Sequence, residues 1–448
     1  MNLKLRNIPF SPPDMTEKEV AEVREAILSG WITTGPRTKK LEQQISEFVH
    51  TDKTVCLNSA TASMKMVLHL LGVGPGDEVI VPAYTYTATA SVVTHVGAKL
   101  VLVDSQKDSV EMDYDQLEKA ITEKTKVIVP VDLGGIVADY DRVFEIVEHK
   151  KALFHPSNDL QKKFGRIIVS GDCAHSFGAW KNVNDNHNEN ENLKPETRNV
   201  KQPRRVKKMA GAIADFSSFS FHAVKNFTTA EGGAMTWHLP FGNEVVPTDV
   251  DYMPTVPKRE CETWNELLYR LSQLFSLHGQ NKDALAKTKL GAWEYDIIGP
   301  WYKCNMTDIM AALGLVQMQR YQQLLEHRYE IVAKFNEGLK DLPVAVLNHR
   351  DADHCSSHHL YLIRLLGRTR EETNKVIEMM AERGIATNVH YKPLPMMTAY
   401  KALGFDIKNY QNAYHLFENE ITFPLHTRLS DEDVDYIIEN FRDVLKNI

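Results

Sequence analysis

EVIVPAY (78–84), KLVLVDS (99–105), KVIVPVDLG (126–134) and RIIVSGD (166–172) are short apolar runs rich in valine and isoleucine, bounded by glycine, proline, aspartate or lysine. β-Branched side chains suit the pleated backbone better than the helical turn. Runs that are apolar at successive positions, rather than alternate ones, suit strands buried on both faces of a sheet. The intervening stretches, such as SMKMVLHLLG (63–72) and DYDQLEKAITEKT (113–125), carry helical spacing. Strand alternating with helix predicts an α/β domain with a mainly parallel sheet flanked by helices. In such sheets ligands collect beyond the carboxyl ends of the strands.

Moving outward from this block, a long helical pattern begins near 306 with TDIMAALGLVQMQRYQQLLEHRYEIVAKFNEGL. A strand pattern (HLYLIRLL, 359–366), a helix (REETNKVIEMMAERG, 370–384) and a terminal helix (SDEDVDYIIENFRDVLKN, 430–447) follow. Ser430, with Glu432 and Asp433 behind it, suits the start of the last helix, where acidic groups complement the dipole. A chain of 448 residues is too long for one ordinary core. The expectation is a large domain over 1–290 and a smaller C-terminal α/β domain over 291–448 that opens with the linking helix. Residues 181–208 crowd asparagine, glutamate and lysine together with few apolar side chains, which predicts a mobile surface insertion.

Bulk composition narrows the function classes. Hydrophobic residues make up 43% and charged residues 25%, the balance of a globular chain, and the net charge of −7 argues against a general nucleic-acid binder. Five scattered cysteines without a CxxC pair predict neither a disulfide framework nor a metal site, and fit a reducing compartment. No run of about 18 apolar residues occurs and the N-terminus lacks a signal-like apolar stretch, so a cytoplasmic protein without a membrane partner is expected.

The chemistry is carried by a set of residues, since each alone has a plain reading. In SFSFHAVKNFTTAEGG (218–233) a strand-like run ends in Lys225 and a Glu-Gly-Gly turn; alone, this is a surface lysine after a strand. In SGDCAHSFGA (170–179) Asp172 closes a strand pattern, where it is equally a turn or capping residue. NSATASM (58–64) leads small hydroxyl residues into a helix, which offers free N–H groups and a dipole to a phosphate, or is simply a capped helix. Tyr86, in PAYTYTAT (82–89), stands where its face could cover a flat ring, or is a core tyrosine. A pyridoxal-phosphate (PLP) site needs all of these together: an amine, a carboxylate for the pyridine nitrogen, phosphate donors and an aromatic face.

In order and wording these segments resemble the DegT family of sugar aminotransferases. The resemblance runs from SGWITTGP (29–36) through the segments above to NMTDIMAALGLVQ (305–317), GIATNVHYKPL (384–394) and NEITFPLH (419–426). It implies a type I PLP-transferase fold, and a homodimer whose active sites are shared. It also implies Lys225 as the Schiff-base lysine, Asp172 as partner of the pyridine nitrogen and His175 beside the cofactor. Ala60, where the family commonly has glycine, matches phosphate-contacting positions together with Thr61 and Ser220, and Tyr86 matches the ring-stacking position. Lys303 and Asn305 fall where the neighbouring subunit reaches the phosphate, and Thr34, His390 and Tyr391 border the sugar-nucleotide pocket. The implied reaction takes an amino group, with glutamate as donor, through pyridoxamine phosphate to a nucleotide-linked keto-sugar, a 4-keto-6-deoxy-hexose bound for surface polysaccharide. Two rivals stand beside it. A sugar dehydratase on the same fold has histidine in place of the lysine, and a regulatory binding protein need not keep Lys225, Asp172 and the phosphate loop together.

Overall fold

The continuous apolar runs are the inner strands of one sheet. The computed structural model describes residues 5–185, 204–250, 252–253, 255–281 and 294–448. Its main sheet has seven strands: β1 (Lys53–Leu57), β2 (Glu78–Pro82), β3 (Lys99–Val103), β4 (Thr125–Ile128), β5 (Ile168–Asp172), and, numbered to leave room for a hairpin between them, β8 (Phe216–Ser220) and β9 (Gly233–Trp237). That hairpin is β6 (Trp180–Asn184) with β7 (Arg205–Met209). The spatial order is β1-β9-β8-β5-β4-β2-β3. Five neighbours from β3 to β8 run parallel, and β9 alone is reversed against both β8 and β1. Every residue of β2, β4, β5 and β9 is buried, as runs without polar alternation require. Because β9 is reversed, its first residue, Gly233, joins the carboxyl ends of β1, β2, β4, β5 and β8 at one edge of the sheet.

Helices cover both faces. Two, α3 (Ala60–Leu70) and α4 (Thr87–His95), border the site, and α1 (Glu17–Leu28) and α2 (Pro36–Val49) precede β1. The long helix Asp308–Leu339 packs its first half on α1 and α2 and its second half on the terminal helix Asp431–Lys446. Ser430 caps that terminal helix by accepting from Asp433 N at 3.2 Å, as its sequence position predicts. A second sheet, β10 (Val344–Val346), β12 (Tyr361–Leu365) and β13 (Glu420–Phe423), is antiparallel, while β11 (His354–Cys355) pairs with β6. Around β12 and β13 a separate core gathers Phe335, Ile363, Met380, Ile437 and Phe441, together with Ile8 from the N-terminal segment. The expected division at 290/291 falls in 282–293, outside the described residues.

The stretch 181–208 differs from the expected mobile insertion at both ends, since β6 and β7 occupy them. Val183 is buried, Lys207 lies 4.3 Å over the Trp180 ring, and Lys181 and Trp180 pair with His354 and Cys355. A few cross-strand contacts anchor a segment whose composition is almost wholly polar. The middle of the expected insertion, 186–203, lies outside the described residues.

Candidate active site

Where the strand ends converge, a cavity of about 610 Å³ opens, within the range of roughly 300–1,000 Å³ common for small-molecule sites. Lys225 reaches it from the turn after β8. That turn is closed by Lys225 N donating to His222 O (2.8 Å), Thr229 N to Phe221 O (2.9 Å) and Phe221 N to Gly232 O (2.9 Å). Beneath it, the Phe221 and Phe227 rings meet edge to face at 4.7 Å and pack on Phe177 and Tyr321. The lysine therefore stands on a rigid aromatic base. Burial inside the cavity lowers its amine to about 8, with the charge of Asp172 opposing the shift. Covalent capture of PLP needs the neutral amine, so its rate on the apoprotein should rise with pH and level off above an apparent pKa near 8. Stopped-flow absorbance across pH 6–10 checks this (a range chosen to bracket roughly two units on either side); a flat profile would contradict it.

Asp172 is the last residue of β5 and is buried. Burial raises its carboxyl, while Thr89 Oγ1 donating to Oδ2 (2.7 Å) and Ala174 N donating to Oδ1 (3.1 Å) hold it down. Thr85 extends the chain, its hydroxyl 2.9 Å from that of Thr89. His175 lies beside them. Gly134 N donates to its Nδ1 at 3.2 Å, Tyr391 Oη lies 3.2 Å from its Nε2, and burial keeps the imidazole neutral. Ser59 caps α3 by accepting from Ala62 N (3.1 Å), which leaves the first-turn N–H groups of Ala60 and Thr61 at the cavity edge. At Gly233 a Cβ would lie 2.4 Å from Ser59 C and 2.5 Å from Ala60 N, so only glycine lets α3 begin this close to the sheet.

The cavity thus gathers Lys225, Asp172, His175, Ala60, Thr61, Tyr86, Ser220, His390 and Tyr391. Tyr86 is 58% exposed, at the cavity mouth, with its ring 5.8 Å from that of Tyr391. Thr34, Lys303 and Asn305 are not brought into it. Lys303 Nζ meets Asn305 Oδ1, the Asn305 amide meets Thr34 Oγ1, and Thr34 donates to Met306 O at 2.6 Å. These polar side chains are bonded to one another alongside β1, where Asn58 N donates to Cys304 O at 2.8 Å. Residue-by-residue reading missed Thr89, Phe10, Asn388 and His359. The run HLYLIRLL marks a strand beginning at His359, but only the fold shows that its first side chain faces the cavity.

These residues fit PLP. An amine of lowered pKa faces a buried carboxylate, and a helix N-terminus with outward N–H groups lies at the same strand edge. The chain matches the DegT/DnrJ/EryC1/StrS aminotransferase family over residues 13–442. It is 30% identical to the spore coat polysaccharide biosynthesis protein SpsC of Bacillus subtilis, covering 98% of this chain and 97% of SpsC. Among solved structures it resembles Spr1654 of Streptococcus pneumoniae, provisionally named a sugar aminotransferase, in its PLP-form, with 52% identity, 99% of both chains covered and a TM-score of 0.85. It also resembles Helicobacter pylori PseC, an aminotransferase involved in the biosynthesis of pseudoaminic acid, with 25% identity, 99% and 100% covered and a TM-score of 0.76. The fold is that of PLP-dependent sugar aminotransferases, PLP is the cofactor, and the chain belongs to the DegT/DnrJ/EryC1/StrS aminotransferase family.

Proposed function

We propose that this enzyme transfers the amino group of glutamate to a nucleotide-linked keto-sugar, a 4-keto-6-deoxy-hexose, for surface glycan synthesis in the cytoplasm. The observation that carries the reading is Lys225 facing Asp172 in a cavity large enough for a cofactor and a sugar together. A dehydratase of the same fold would carry histidine at this position. Glycan synthesis is supported by the likeness to SpsC. PLP, when bound, supplies the electron sink that lets a proton leave the amino-bearing carbon. Asp172 would keep the pyridine nitrogen protonated, Lys225 Nζ would take the proton that leaves carbon and return it, and the α3 N-terminus would bind the phosphate. Labelling tests this. Nitrogen-15 glutamate and a panel of nucleotide-linked 4-keto-6-deoxy-hexoses should give a labelled amino sugar with equimolar 2-oxoglutarate. Unlabelled, deoxygenated product would mean dehydration, and no product from any keto-sugar would refute the reading.

The working unit in this proposal is a homodimer with shared sites. Val20, Ile27 and Leu28 on α1, and Ile32 after it, are each at least half exposed, an apolar face suited to a second copy. Lys225 is the one lysine or arginine among the described residues lining the cavity, so a phosphate-bearing substrate calls for cations from elsewhere. Lys303 is exposed outside its own cavity and is available to a neighbour. Mixing Lys225→Ala with a Lys303→Ala/Asn305→Ala double variant, each inactive alone, should restore up to one working site per mixed dimer. No recovery despite verified subunit exchange would place these residues in the site of their own chain.

A further inference from the structure

The cavity wall opposite the sheet holds three side chains whose hydrogen positions are fixed by what stands behind them. Asn226 Nδ2 donates to Ser357 O at 2.6 Å, and a carbonyl can only accept, so Asn226 turns its Oδ1 toward His359 Nδ1, 2.9 Å away. An amide oxygen also only accepts. His359 therefore carries its hydrogen on Nδ1, and burial keeps the ring neutral, leaving a bare lone pair on Nε2. His390 repeats the arrangement. Thr422 spends its single hydrogen on Glu420 Oε1, so Thr422 Oγ1, 2.9 Å from His390 Nδ1, must accept from it. This holds once Glu420, raised by burial to about 7, is ionised. His175 is the opposite case: its Nδ1 accepts from Gly134 N, so Nε2–H donates to Tyr391 Oη and Tyr391 keeps its own hydrogen to give. The His175 and His359 rings are in contact, with centroids 4.5 Å apart, in opposite tautomers.

The wall therefore offers two bare imidazole nitrogens and one phenolic O–H. Carboxylate and phosphate oxygens carry no hydrogen, so they could accept from Tyr391 but would face both imidazole nitrogens lone pair against lone pair. A hydroxyl can both give and accept. We infer that His359, His390 and Tyr391 form the face that reads the hydroxyls of the sugar ring, with His359 Nε2 as a specificity-determining acceptor. Anionic parts of donor and nucleotide bind away from it. This rests on the keto-sugar reading above.

The test is a substrate–variant cycle at pH 8, where roughly nine-tenths of a carboxyl titrating near 7 is ionised. It uses whichever nucleotide-linked 4-keto-6-deoxy-hexose the labelling experiment finds active, with its 2-deoxy and 3-deoxy analogues. His359→Phe should lower kcat/KM for the full sugar by about tenfold or more beyond any fall in the glutamate half-reaction, the cost of one lost hydrogen bond in a dry site. With one deoxy analogue, wild type and His359→Phe should agree within about threefold, because the hydroxyl and the imidazole are the same interaction. His359→Gln, whose amide oxygen can stand in for Nε2, should recover part of the loss, and its cycle is read instead if the phenylalanine variant does not fold. An equal cost on every sugar, or a glutamate half-reaction that falls as far as the sugar half-reaction, overturns the assignment of His359 while leaving transamination intact. Failure of the wild type with every keto-sugar removes the functional reading itself and this inference with it.

Discussion

Lys225→Ala should abolish transamination, by at least about a thousandfold, while the protein still folds. In the proposed mechanism one side chain both anchors the cofactor and moves the proton, so its loss removes nucleophilic and acid–base contributions together. The fold does not depend on it. The loop is held by backbone hydrogen bonds and by Phe221 and Phe227, none of which involves the amine. Removing a cation that burial already disfavours should leave the melting temperature of the apoprotein unchanged or raised. Scanning calorimetry, the cofactor's visible absorbance band and coupled turnover assays report the three outcomes separately. Retention of near-wild-type turnover would contradict the role assigned to Lys225.

Asp172→Asn should cost at least about 3 kcal/mol of transition-state stabilisation, roughly a hundredfold or more in rate. The shape is kept. Asparagine can still accept from Ala174 N through its oxygen, and its amide can donate to Thr89 Oγ1, which then turns its hydrogen toward Thr85. What is lost is the negative charge that, in the proposed mechanism, keeps the pyridine nitrogen protonated. Because Lys225 is untouched, the variant should still bind PLP and show its absorbance, separating a chemical defect from a binding defect. A fall below about threefold would reduce Asp172 to a turn-capping residue.

Much of this site could be read from the sequence because the residues that build it are constrained locally. Asp172 ends an apolar run, and the run itself announces a buried parallel strand whose carboxyl end is a ligand edge. Lys225 lies between a strand-like run and a Glu-Gly-Gly turn, and Gly233 proved to be required by a 2.4 Å approach to the start of α3. Positions set by distant contacts were not legible. His359, two residues before β12, faces the cavity between Asn226 and His175, contacts that local spacing does not encode. The bonds of Thr34 to Asn305 and Met306 cross about 270 positions of sequence, and β6, before 186–203, pairs with Cys355 and His354 on one side and with β7 on the other. Such contacts belong to tertiary structure, and composition alone reads them as solvated loop.

The cavity floor comes from the strand ends, and its opposite wall from the segments around His359 and His390, joined by Phe423 and Leu425 of the second core. This separation has an evolutionary consequence. On the proposed reading, substitutions at His359, Asn388 and His390 can redraw substrate preference while Ser357 and Tyr391 keep their bonds to Asn226 and His175, so catalysis and recognition are free to diversify at different tempos. On the same reading, laboratory libraries restricted to positions 359, 388 and 390 would sample new acceptors while most members stay competent to bind PLP.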